Sequence, residues 1–162
     1  MKKVLPIIAF LAVAFVAYLF LKPKADPHQE IKDQFGLILR KAEETPALKG
    51  IPLFSHIRSF KQYLTEDFSL SVPEYKMEMS NREDFINKAT SIAPMVPNFQ
   101  STLSSYTINV NDDQAEVELV CTIKGHNKNY SFNESRTLKV RLLKPSGTWK
   151  IQSVKVIPPT QK

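Results

Sequence analysis

Cysteine is almost missing from this sequence. Cys121 is the single one in 162 residues, which excludes an internal disulfide and any cysteine-built metal site. Val120 and Thr122 flank it in a strand-like stretch, where a lone thiol reads as a small buried packing residue. The three histidines, His28, His56 and His126, are scattered and form no metal-ligand spacing. Only four glycines are present, and none belongs to a phosphate-cradling loop. No metal and no cofactor are expected. A one-signed charge excess is missing as well. The net charge is +6, but Lys2, Lys3, Lys22 and Lys24 belong to the N-terminal segment and the remainder is near balance. That is not the footprint of a nucleic-acid binder. What charge asymmetry remains lies along the chain: residues 25–113 hold 9 basic and 13 acidic side chains, and residues 114–162 hold 9 and 3.

What is present begins with "VLPIIAFLAVAFVAYLFL", an uncharged run from Val4 to Leu21. As a helix it would span about 27 Å, close to the thickness of a bilayer's hydrocarbon core. A cleavage site needs small residues just after the apolar region; Ala12-Val13-Ala14 fits that pattern but falls inside the run. An uncleaved single-pass anchor is therefore expected, with secretion after signal cleavage as the alternative. Lys2 and Lys3 favour a cytoplasmic N-terminus. The organisation expected is residues 1–24 as anchor or signal segment and residues 25–162 as one domain outside the cell membrane, periplasmic in a bacterium.

Beyond the run, Asp26-Pro27-His28-Gln29 reads as a helix start, with Asp26 as cap and Gln29 reaching back. Ile31, Phe35, Ile38 and Leu39 recur at helical spacing as far as Glu44. A shorter helix follows Pro52. Phe68, Leu70 and Val72 then alternate in the manner of a strand, Pro73-Glu74 interrupts, and Tyr75, Met77 and Met79 resume. Ser80-Asn81-Arg82-Glu83 reads as a capping box that opens a third helix, which Pro94 stops. From Phe99 onward the pattern is all strand. Tyr106, Ile108 and Val110 alternate up to a turn at Asp112-Asp113. Ala115, Val117, Leu119, Cys121 and Ile123 form the next apolar set, and residues 125–134 read as a polar loop. Leu138, Val140 and Leu142 follow. Trp149 and Ile151 are out of phase with Val154 and Val156, so a β-bulge is expected near Gln152-Ser153.

Three stretches carry a resemblance: "FKQYLTEDFSLSVPEY", "MSNREDFINKA" and "RTLKVRLLKPSGTWKIQSVKV". In this order they resemble the nuclear transport factor 2-like (NTF2-like) superfamily, whose cone is shared with ketosteroid isomerases and polyketide cyclases. The resemblance implies an α+β fold with three N-terminal helices packed in a curved antiparallel sheet, here behind one transmembrane helix. It also implies a cone that holds an acid-base site in enzymes and is filled, or binds a partner, in other members.

In isomerase-like members a carboxylate stands near the proline after the first short strand. Leu70-Ser71-Val72-Pro73 offers none, and Glu74 stands one step late. Glu116 and Glu118 alternate against Val117 and Leu119 and should face out. Tyr106 heads an apolar face and is the other catalytic candidate. Lys124, Lys139, Arg141, Lys150 and Lys155 fall on outward strand positions, a basic stripe for anionic lipid or a partner. The expected function is a membrane-tethered binding or assembly module without catalysis. Its partners would be the membrane, a second copy or a membrane protein, or a small apolar ligand in the cone. The alternative is a cyclase- or isomerase-like enzyme acting on a small apolar substrate.

Overall fold

The computed structural model describes residues 26–126 and 131–158. Helix α1 (Pro27–Glu44) is followed by α2 (Gly50–Ser59), β1 (Leu64–Val72), β2 (Met77–Met79) and α3 (Arg82–Ile92). Four strands follow among the described residues: β3 (Phe99–Asn111), β4 (Gln114–His126), β5 (Ser131–Leu143) and β6 (Lys150–Ile157). They form one six-stranded sheet in the order β2-β1-β6-β5-β4-β3.

Asp26 caps α1 as expected, accepting the His28 N–H at 3.0 Å. Gln29 does not reach back; its amide donates one turn forward to Asp33 at 2.8 Å. The cap of α3 stands one residue later than the sequence pattern suggested. Asn81, not Ser80, accepts the Asp84 N–H at 2.8 Å, while Glu83 turns away to Lys61 at 2.6 Å. Residues 125–134 are not a loop at their two ends: Gly125 pairs with Phe132 and His126 with Ser131 in the ladder. The sheet is not wholly antiparallel either. β1 runs parallel to β6, because three antiparallel turns separate β3 from β6 and return the chain alongside β1 in β1's own direction.

The bulge in β6 lies where the phase change placed it: Leu142 pairs with Ile151 and Arg141 with Ser153, leaving Gln152 unpaired. A second bulge in β3 adds one residue between Ser104 and Thr107, with Ser105 in the left-handed region at φ 55°. Such insertions bend a strand and raise its twist. With both in place the sheet wraps α1.

The inner face buries Ala115, Val117, Leu119, Val140, Leu142, Trp149 and Ile151 against Ile31 and Phe35 of α1. A second, smaller core joins α2 to α3 through Leu53, Ile57, Ile86 and Ala93. Phe85 links the two, its ring edge-on to Phe68 at 5.1 Å between centroids. The three helices therefore do not share one layer; α1 fills the cone and α2 and α3 lie beside it. Among the described residues no helix is long and apolar enough to cross a membrane. The apolar run of residues 4–21 lies outside the described residues.

Candidate functional site at the mouth of the cone

Each long strand runs from a closed end to an open one. Along the inner face of β4, exposure rises from 1% at Ala115 and Leu119 to 9% at Cys121 and 38% at Ile123. The closed end is shut by polar ties from α1. Glu30 accepts from Lys144 Nζ at 2.6 Å and from Trp149 Nε1 at 3.1 Å, and Gln34 donates to the Trp149 carbonyl at 2.6 Å. The Lys144 hydrogen bond holds the Glu30 carboxyl below its usual value, with the Trp149 donor adding to it. The α1 N-terminus thus belongs to the closed end, and the mouth lies at the far end of the strands.

Arg136 stands at that mouth. It is in register with Cys121 and in phase with Leu138, Val140 and Leu142, so period two turns it to the inner face. Its guanidinium is shared between two carboxylates, Glu74 at 3.5 Å and Glu134 at 3.2 Å. Glu74 comes from the 3-10 turn Pro73–Tyr75 between β1 and β2, which Lys76 closes in the left-handed region at φ 51°. Gly125 makes room for the rim. A Cβ there would stand 2.7 Å from the Asn98 carbonyl oxygen and would collide with the Phe132 ring. Glycine is required for that close approach.

Two further groups face the interior behind Arg136. Burial raises the Tyr106 hydroxyl above its ordinary value, with Cys121 adding to it. Burial raises the Cys121 thiol as well, so the sulfur stays protonated and is no nucleophile. Lys32 of α1 lies 5.5 Å from the centre of the Tyr106 ring. The mouth therefore offers a hydroxyl donor and a guanidinium. Its two carboxylates, Glu74 and Glu134, are both held on that guanidinium. Among the described residues no group of histidine, cysteine or carboxylate side chains could hold a metal ion.

The remaining singled-out residues lie elsewhere. Glu116 and Glu118 are exposed on the outer face. They pair across the strands with Arg141 at 3.2 Å and Lys139 at 3.4 Å. Lys139 is also in register with Lys155. This face has a shallow groove of about 340 Å³ lined by these five residues with Thr107, Asn109 and Ser153. Lys124 belongs to the mouth end of β4 and Lys150 to the closed end of β6. The five basic residues are therefore spread along the sheet, with two of them neutralised by acids. His56 is not free for chemistry, because its Nε2 donates to the Lys41 carbonyl at 2.7 Å. Exposed apolar side chains collect instead on α2, where Ile51 and Phe54 border a groove with Ile86 of α3.

Comparison with solved structures gives this arrangement a name. A protein of unknown function from Mycobacterium tuberculosis superposes with a TM-score of 0.66 at 13% identity, over 82% of this chain and 76% of its own. An NTF2-like protein from Cytophaga hutchinsonii superposes with a TM-score of 0.64 at 16% identity, over 83% of this chain and 99% of its own. The fold is NTF2-like. A protein from Novosphingobium aromaticivorans, named as a putative scytalone dehydratase, superposes with a TM-score of 0.62 at 13% identity, over 80% of this chain and 81% of its own. No family model and no curated protein matches the sequence. At these identities the likeness extends to the NTF2-like fold and not to an activity.

Proposed function

We propose that this chain is a binding and assembly module without catalysis, held at a membrane by residues 4–21. The observation that carries the reading is the state of the cone. Inner positions that would line a substrate cavity are packed by Phe35, Leu119, Val117 and Val140, and the acid nearest the mouth is fixed on Arg136. General acid-base catalysis needs a carboxylate or imidazole within reach of the proton it moves. Glu74 in its ion pair does not meet that need. The enzyme alternative keeps one favourable observation, the protonated Tyr106 hydroxyl on the inner face, which suits a hydrogen-bond donor. It lacks a base to work with.

A tether at the N-terminus of α1 would set the closed end toward the bilayer and the mouth away from it, by about the 27 Å length of an 18-residue helix. That orientation favours a protein partner over lipid at the mouth. It also argues against a lipid-facing basic stripe, since Lys124 would be the member farthest from the surface.

Genetic complementation tests the reading. In cells lacking the gene, a chain carrying Glu74→Gln with Tyr106→Phe should restore every deletion phenotype that the unaltered chain restores. Loss of complementation at unchanged protein level would return the enzyme alternative. Alkaline extraction of isolated membranes should leave the full chain in the pellet, and its release into the supernatant would remove the tether.

A further inference from the structure

The two edges of the sheet are protected very differently. β2, at one edge, has three residues and carries the charged Glu78. β3, at the other, has 13 residues and no charged side chain, in a chain where 23% of residues are charged. It contains no proline either. Soluble proteins commonly guard long edges with lysine, proline, a bulge or a covering element. Here the protection covers only half the strand. In the first half the edge is capped from α1 at Ser101, whose N–H donates to Glu43 Oε1 at 2.5 Å and whose hydroxyl donates at 2.7 Å. The bulge at Ser105 then ends that half. Past it, residues 106–111 ("YTINVN") pair with β4 on one side and have no second strand among the described residues, because β3 closes the strand order.

We propose that this chain associates with a second copy of itself edge to edge along residues 106–111 of β3, an inference that rests on the assembly reading above and names its surface. The hydrogen bonding sets the register. β3 and β4 meet through the two-residue turn Asp112-Asp113, with Asn111 paired to Gln114. In such a hairpin the closing pair and every second pair bond to each other. Asn111 and Asn109 are then committed to β4, while Ile108 and Val110 turn their N–H and C=O to the open edge.

An antiparallel copy about a two-fold axis through Asn109 sets Ile108 against Val110 in both directions. It also sets Tyr106 against Asp112. Lys32, 5.5 Å from the Tyr106 ring centre, then approaches the copy's exposed Asp112-Asp113 turn, and the same contact repeats across the axis. The uncharged strand brings no like charges together, and the charges beyond its ends are opposite in sign. This self-complementarity is what a two-fold interface requires and what favours a second copy over an unrelated strand.

The test uses the full chain in mild detergent, with mass read after release from the micelle. The unaltered chain should be a dimer. Asn109 is exposed on the outer face, and either Asn109→Lys or Asn109→Asp would set two like charges directly opposite each other on the axis. Each variant alone should lower dimer formation by roughly tenfold or more, with circular dichroism and Tm showing the fold retained. An equal mixture of the two should recover a dimer with the mass of one chain of each. A monomeric unaltered chain overturns the proposal. A homodimer that survives both substitutions also overturns it and leaves the assembly reading standing on another surface. A monomer carrying a stoichiometric small molecule would remove both.

Discussion

The closed end and the mouth of this cone are built from the same four strands and differ in what their polar groups do. At the closed end, Glu30, Lys144 and Trp149 are joined in one hydrogen-bonded group over the buried core, and α1 is fixed to the β5–β6 hairpin. At the mouth, Arg136 serves two carboxylates from different parts of the chain, Glu74 as exposed as Glu30 and Glu134 more so. The first arrangement specifies how the helix lies in the sheet. The second sets a charged, partly exposed rim at the open end.

Substitutions should separate the two ends, and the largest loss belongs to the core that both share. Leu119→Ala empties a side-chain volume at a position 1% exposed. It should cost about 2–5 kcal/mol, read as a lower midpoint in urea unfolding. A loss under about 1 kcal/mol would mean the interior is not packed as described. Gly125→Ala comes next. Its Cβ meets the Asn98 carbonyl oxygen and the Phe132 ring, so overpacking should cost about 1–3 kcal/mol and disturb the rim while leaving Trp149 fluorescence unchanged.

The acid limb of stability sharpens the contrast further. The Glu30 carboxyl is depressed in the folded chain by Lys144. A depressed carboxylate contributes stability that is fully present above its unfolded value, near 4.5, and is lost as the pH falls through the folded value. Glu30→Gln should therefore lower Tm at neutral pH and reduce the steepness of the loss below pH 4.5. An unchanged acid limb would show that the Glu30–Lys144 pair is not formed in solution. Arg136→Gln should have the smallest effect, under about 1 kcal/mol, because its ion pairs are partly solvated.

The two ends were not equally legible in the sequence. Period-two alternation and a change of phase between Ile151 and Val154 disclosed the hairpin and the β6 bulge, since both are properties of neighbouring residues. Trp149 was legible as the start of the last strand, but not its carboxylate partner, which lies 119 positions away. Arg136 did leave a signal: it stands two residues before Leu138, in phase with the apolar set. The apolar set reads only from Leu138 onward, so a charged residue just ahead of it does not stand out as an inner-face group. Asn81 and Ser80 are equally good caps with an acid three residues on, so sequence alone could not choose between them. The β3 bulge sits in Ser104-Ser105, and two serines carry no mark of an inserted residue.

The central claim is that the cone is a packed interior with a charged rim and not a substrate cavity. A native mass spectrum of the full chain, released gently from detergent micelles, tests it most directly. The account predicts a polypeptide free of any stoichiometric small molecule. A one-to-one adduct of roughly drug or metabolite size, lost on widening the interior with Leu119→Ala or on removing Arg136, would contradict it and make the cone a binding pocket.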